Sequence, residues 1–369
     1  MFRYVATTTL LICLAFIAGC STLKPDLARL YSLSDDNDSF QPPVIIVPGI
    51  VSSTLVDEND KEIWFGPLRK LLSSEYRDMA LGMDPDTLNP KPSKIKAGRL
   101  PETVLTKDFY GPIFDTLEDA GNYKLSQPGE AWNGRDRRYY KFPYDWRLSN
   151  DVTARKLDAF IEQVRKDYNR PNMRVDLIGH SMGGLVIRYF LRYGTEDVLN
   201  DNRLQPTQAG ADKANRVILL GSPNLGSLAS FEELVKGYKL IFSRVPTEVL
   251  VTMPAIYQLL PHPINHWLID IKGEKLDEDL FDIATWKKYQ WSIFDPDVRK
   301  RISKEAETKE AAEKQLALLE AYMHKHLERA RRFVWSLTVK MDQPRYQLIN
   351  FGGDCSLTPA RVLMESVNG

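Results

Sequence analysis

The sequence predicts an α/β fold, a mostly parallel sheet flanked by helices, interrupted by a mainly helical insertion. Short apolar runs bounded by Gly and Pro alternate with amphipathic helical stretches, as strands and helices do in a parallel sheet. One such run leads into a helix through a serine flanked by glycines, Gly179-His180-Ser181-Met182-Gly183. The alternation lapses once, between about Leu228 and Lys340, and then resumes.

Taken in order, the amino terminus comes first. Arg3 precedes an apolar run from Val5 to Ile17, too short to span a bilayer, and Ile17-Ala18-Gly19-Cys20 follows. Residues 1–19 are therefore expected to be an export signal. The small residues before Cys20 resemble a bacterial lipoprotein signal. That resemblance implies acylation of Cys20, a lipid-anchored place in the cell envelope and, with Ser21 following, the outer membrane. An ordinary export signal with a chance cysteine is the alternative. Residues 20–43 read as a linker. Cys13 would leave with the signal and Cys20 would carry lipid, so Cys355 has no partner for an intrachain disulfide.

The core is expected over residues 44–227. Val44 to Val47 is an apolar strand stopped by Pro48-Gly49. Phe109 to Ala120 has helical spacing, with Gly121 as the stop. Tyr139 to Phe142 is a second strand. From Asp151 to Tyr168, the residues Val152, Leu157, Phe160, Ile161 and Val164 share one face of a helix. Strand Arg174 to Ile178, helix Leu185 to Tyr193 ended by Gly194, and strand Arg216 to Leu220 complete this part. Residues 228–340 are expected to form a cap, with one long charged helix from Lys304 to Val334 bearing an apolar stripe. Tyr346 to Phe351 resumes the strand pattern, so 341–369 returns to the core.

Composition narrows the function classes. The 369 residues are 43% hydrophobic and 27% charged, with 49 basic and 49 acidic side chains. A chain without net charge has no overall field to gather nucleic acid. No metal constellation or phosphate loop is visible, and no cofactor is expected.

Chemistry is expected at Ser181. A hydroxyl between a buried strand and an apolar helix, with glycines two before and two after, matches the G-x-S-x-G nucleophile turn. The sharp turn exposes the oxygen at the sheet edge and aims the amide N–H groups of the following helix at a developing oxyanion. The expected donors are the backbone N–H groups of Met182 and of Ile50, the latter in the turn after the first strand; a plain strand-ending turn is the alternative at Ile50. His180 adjoins the serine but points elsewhere, and is expected to be structural, behind the turn.

Several segments together resemble the lecithin:cholesterol acyltransferase family of α/β-hydrolases. They are IIVPGIVSSTL from Ile45, DFYGPIFDTLEDAGNY from Asp108, PYDWRL from Pro143, LIGHSMGG from Leu177, GSPNLGS from Gly221 and PAIYQLLP from Pro254. The resemblance implies Ser181 as nucleophile, Met182 and Ile50 at the oxyanion, a lid within Phe65 to Leu100 and a cap shaping an acyl groove. It implies transfer of an acyl chain from a lipid or phospholipid to an alcohol or to water, through an acyl-Ser181 intermediate. Asp145 and Arg147 are expected to form a structural ion pair, since triads of this class run serine, acid, histidine.

The pattern departs from the family after the cap. Asp354 stands where many hydrolases keep the acid, yet its segment looks unlike the family's acid motif; a turn or capping role is the alternative. No histidine follows it. His262 is expected in a turn, and His324 and His326 on a solvated helix edge; His266 completes the set and none is expected to be the base. The sequence therefore reads as a fragment that stops before its acid and histidine, nearly inert as it stands. Two other readings stay open: a hydrolase of non-lipid esters, and a catalytically dead lipoprotein that binds lipid. Nothing in the sequence speaks to oligomeric state.

Overall fold

A computed structural model describes residues 40–104, 107–108, 110–240 and 242–365. The expected signal and Cys20 lie outside them. Six strands form one all-parallel sheet: β1 (Val44–Val47), β2 (Tyr123–Leu125), β3 (Arg137–Lys141), β4 (Val175–His180), β5 (Ala214–Leu220) and β6 (Gln347–Phe351), in the order β6-β5-β4-β1-β3-β2. All four residues of β1 are buried, as an apolar strand covered on both faces requires. Its neighbours on either side are β3 and β4, so chain order reverses around it. In open sheets of this kind, ligands bind beyond the carboxyl ends of the strands at such a reversal.

Helix α1 (Asn150–Asp167) crosses from β3 to β4, and α2 (Met182–Tyr193) from β4 to β5. The two pack on each other, and α2 lies against β4, β1 and β5. Eleven of the twelve residues of α2 are buried, which its nearly all-apolar sequence dictates. Between the neighbouring strands β5 and β6 comes the insertion, mainly helical, with α3 (Leu228–Lys236), α4 (Pro296–Glu305) and α5 (Lys309–Ser336). Its apolar residues join those of the sheet in one continuous core.

Three features differ from the sequence expectation. The single helix Lys304 to Val334 is two: Ala306 turns extended, and the Thr308 hydroxyl accepts the Ala311 N–H at 3.1 Å to start α5 afresh. Helix Phe109 to Ala120 is a short α-turn, Gly111–Asp115, continued by a π-turn to Ala120. Strand β2 was not expected, because three residues of a polar edge strand leave no periodicity to read.

Residues 65–100, where a lid is expected, are anchored to the rest of the chain at several points. Tyr76 and Met79 are fully buried, Leu81 N–H donates to the Thr252 hydroxyl at 2.9 Å, and Lys325 reaches the Thr87 carbonyl at 2.6 Å. None of these residues lines the cavity at Ser181. Among the described residues no helix is long and apolar enough to cross a membrane.

Candidate functional site

Ser181 sits between β4 and α2 with φ +51° and ψ −125°. That backbone state costs a non-glycine residue on the order of 1–3 kcal/mol and persists only where the surroundings impose it. The imposing contacts are visible. Ser181 N–H donates to the Leu220 carbonyl at 2.9 Å and its own carbonyl accepts from Gly184 N–H at 3.0 Å, so the turn is pinned to β5 and closed on itself.

The flanking glycines are required by space. A Cβ on Gly179 would stand 2.7 Å from the Gly184 Cα, and one on Gly183 only 2.1 Å from the Val47 carbonyl oxygen. The strand-to-helix turn thus presses directly on the end of β1, and only hydrogen fits in the gap. Gly49 is equally constrained, since its Cβ would come within 2.9 Å of the Ser181 Cβ.

Ser181 and Ile50 share the lining of a cavity of about 870 Å³. Most of its wall comes from the Gly221–Ser230 and Leu259–Trp267 segments, with Thr358 to Arg361 beyond. Leu225, Leu228, Leu259, Ile264 and Trp267 make much of it apolar. Among the described residues the Ile50 N–H makes no hydrogen bond, and the first-turn N–H of Met182 has no intrahelical acceptor. Two unspent donors therefore flank the serine turn. The loop that carries Ile50 is braced from behind: the Tyr144 hydroxyl donates to the Pro48 carbonyl (2.7 Å), the Trp146 indole to the Ser53 carbonyl (3.1 Å) and the Trp64 indole to the Val51 carbonyl (2.8 Å).

The remaining expected residues fall as follows. His180 Nδ1 is 2.9 Å from the Tyr110 hydroxyl behind the turn, where burial lowers its pKa. Asp145 and Arg147 form a buried two-pronged ion pair at 2.9 and 2.7 Å, and Arg147 also donates to the Met79 carbonyl. His262 closes a turn, its Nδ1 accepting Ile264 N–H at 3.1 Å. His324 is exposed. His326 is not solvated, contrary to expectation. Its ring lies between Tyr322 and Tyr257, its Nε2 is 3.2 Å from the Leu88 carbonyl, and burial drives its pKa to about 3. Sequence could not show this, because the covering segment lies 238 residues earlier.

His266 is exposed and shares the cavity lining with Ser181; Asp354 does not, and is exposed after β6. Among the described residues no hydrogen bond joins the Ser181 hydroxyl to an imidazole, and no three His, Cys, Asp or Glu side chains group to hold a metal.

Two site residues were missed in the sequence. Tyr110 accepts Gly49 N–H at 3.0 Å and donates to the Ser52 hydroxyl at 3.0 Å, tying the Ile50 loop to His180; its signal was its place in DFYGP. Glu233 lines the cavity from α3 with no ion-pair partner among the described residues. Burial, helped by the charge of Glu232, raises its pKa to about 7. A glutamate on an exposed-looking helix gives no signal of this.

A parallel sheet bearing a strained serine turn beyond its central strands defines the α/β-hydrolase class. The chain belongs to the lecithin:cholesterol acyltransferase family, whose model matches residues 132–335. It is similar to an uncharacterized Saccharomyces cerevisiae protein, 27% identical over 70% of this chain. It also resembles the phosphatidylcholine-sterol acyltransferases of Gallus gallus and Homo sapiens, at 36% and 35% identity over 28% of this chain. The chain spans 35% of the yeast protein and 22% and 21% of the two acyltransferases. In the crystal structure of the Tle4-Tli4 complex, one chain aligns with a TM-score of 0.48 and 14% identity, covering 80% of this chain and 72% of that one.

Proposed function

We propose that this chain carries the acyl-handling site of a lipid acyltransferase or phospholipase-type esterase, with Ser181 as nucleophile. The observation that carries the reading is the strained Ser181 turn opening into a cavity whose wall includes Leu225, Leu228, Leu259, Ile264 and Trp267. Attack by the Ser181 hydroxyl on the ester carbonyl would release the donor's alcohol and leave the acyl chain on the serine oxygen. An acceptor alcohol or water would then take the acyl group and return the proton to the serine. The N–H groups of Met182 and Ile50 would hold the oxyanion in both steps, where one such donor contributes about 2.7–4 kcal/mol. Family membership supports a lipid ester as donor, and the apolar wall supports a fatty chain.

The test is labelled phospholipid given to the protein expressed from its complete reading frame, with release and transfer of the acyl chain followed separately. Ser181→Ala is expected to lower turnover on the order of 10⁴-fold or more with unchanged folding. Undiminished activity in that variant would end the reading. A folded wild type that binds phospholipid without turnover would favour the dead lipid-binding alternative, and turnover of short esters alone would favour the non-lipid hydrolase.

We also propose the lipid anchor at Cys20 and an envelope location, supported by the sequence pattern of residues 1–20. Growth with labelled palmitate is expected to label the wild type and not Cys20→Ser; label retained in the variant overturns the anchor.

A further inference from the structure

A second cavity, of about 720 Å³, shares no lining residue with the first. It lies where the 89–97 segment, the start of α1 and the middle of α5 meet. Its floor includes Phe142, Tyr144, Pro143 and Val152, and its polar wall is dominated by cations.

The charges there do not balance. Each carboxylate at the wall already has a cation. Asp145 is paired with Arg147, Asp197 with Arg329 at 3.1 Å, and Asp151 with Arg155 at 3.1 Å and Arg329 at 3.6 Å. Lys96 is paired with Asp60. Among the described residues that leaves Lys91, Lys156 and Lys325 with no carboxylate at ion-pair distance, Asp84 near Lys91 and Asp197 near Lys325 acting only from farther off. Lys91 and Lys156 are exposed, but Lys325 is partly buried and fixed. Its ammonium donates to the Thr87 carbonyl and the Asn89 side-chain oxygen, both at 2.6 Å and both neutral. Burial and the nearby Arg329 push the Lys325 pKa down, outweighing the opposing pull of Asp197.

An ammonium has three protons to donate, and neutral acceptors take two of those of Lys325. Ser93 adds a further donor: its oxygen accepts from Arg147 and from Ile95 N–H, each at 3.1 Å, and its own hydroxyl proton has no acceptor among the described residues. Three lysines without a directly paired carboxylate, beside a partly aromatic lining, suit an anion of high charge density attached to an apolar body.

We propose that this second cavity binds a phosphate-bearing ligand, the phosphate on Lys325, Lys156, Lys91 and the Ser93 hydroxyl and the remainder on Phe142 and Tyr144. The phosphate could belong to an anionic lipid headgroup or to a free phosphate ester. In either case the site is separate from Ser181 and does not depend on catalysis there.

The experiment is calorimetric titration of the full chain carrying Ser181→Ala, so that turnover cannot deplete the ligand. Dihexanoyl phosphatidic acid is the lipid arm and glycerol 3-phosphate the free-ester arm, each at low salt and again at 0.5 M salt. Saturable binding of one equivalent, weakened by salt and about tenfold weaker in Lys325→Met, is expected, because loss of one charged donor removes roughly that factor. Binding in both arms identifies a phosphate-ester site, and binding in the first alone a lipid headgroup site. If Lys325→Met does not fold, Lys91→Ala/Lys156→Ala, both exposed, serves in its place with the same expected loss. No saturable binding in either arm, or binding that is unchanged by the substituted lysines, overturns the proposal. Because the protein already lacks the Ser181 hydroxyl, failure here says nothing against the catalytic reading, and failure of that reading leaves this one standing.

Discussion

Glu233 is a carboxyl group that folding places among the apolar residues of the Ser181 cavity, and its proton is held up to about pH 7. An acid whose folded-state pKa lies above its unfolded value keeps its proton more tightly when folded. Its contribution to stability is therefore complete at acid pH and is lost as pH rises from the ordinary carboxylate range through about 7. Glu233→Gln is expected to match the wild type at pH 4 and to be more stable at pH 8 by about 1–3 kcal/mol, read from urea midpoints at the two values. Equal stability of both proteins at pH 8 would show that Glu233 is solvated instead. At this scale Ser181 was legible because its chemistry dictates its neighbours: at positions 179 and 183 any Cβ would stand only 2.7 and 2.1 Å from other backbone, so both are glycine. Glu233, Tyr110 and His326 were not legible, because what distinguishes each is a partner or a cover distant in sequence.

The PYDWRL segment acts as a unit on the loop after β1. Tyr144, Trp146 and Arg147 each send a side-chain donor to a backbone carbonyl of the 48–53 loop or the 65–100 segment, so the motif positions Ile50 without touching the cavity at Ser181. Tyr144→Phe removes the donor to the Pro48 carbonyl and leaves that oxygen buried. The expected cost is about 1–3 kcal/mol in stability, and a fall in kcat larger than any change in KM, measured by steady-state turnover of a phospholipid. A change confined to KM would mean that the loop serves binding instead. Element positions followed from periodicity where the elements are long or wholly apolar, as in β1, α1 and α2. They failed at the short edge strand β2 and within the charged helical stretch, where a single capping threonine at 308 outweighs the continuing apolar stripe.

Across the whole molecule, sheet, 65–100 segment and insertion meet around Arg147. It is fully buried, paired with Asp145 and bonded to the Met79 carbonyl and Ser93, and its own backbone carbonyl accepts the Ala255 N–H from the insertion. Arg147→Met should cost about 3–5 kcal/mol in global unfolding, since it strands the Asp145 charge in the interior, and Asp145→Leu added to it should restore part of that loss. A single-variant midpoint within error of wild type would contradict this. The parallel sheet and the insertion between its strands were readable from the rise, lapse and return of the alternation. The way the insertion and the 65–100 segment fold onto each other was not, since it rests on contacts such as Leu81 to Thr252, 171 residues apart.

Trp64 and Trp146 lie 5.4 Å apart, ring edge toward ring face, and each donates its indole N–H to the loop that carries Ile50. Chromophores this near are coupled optically, so their near-ultraviolet circular dichroism depends on the angle between them. Any shift of the loop when an acyl chain enters would alter that signal, which gives the protein a native reporter of occupancy readable without dye or label.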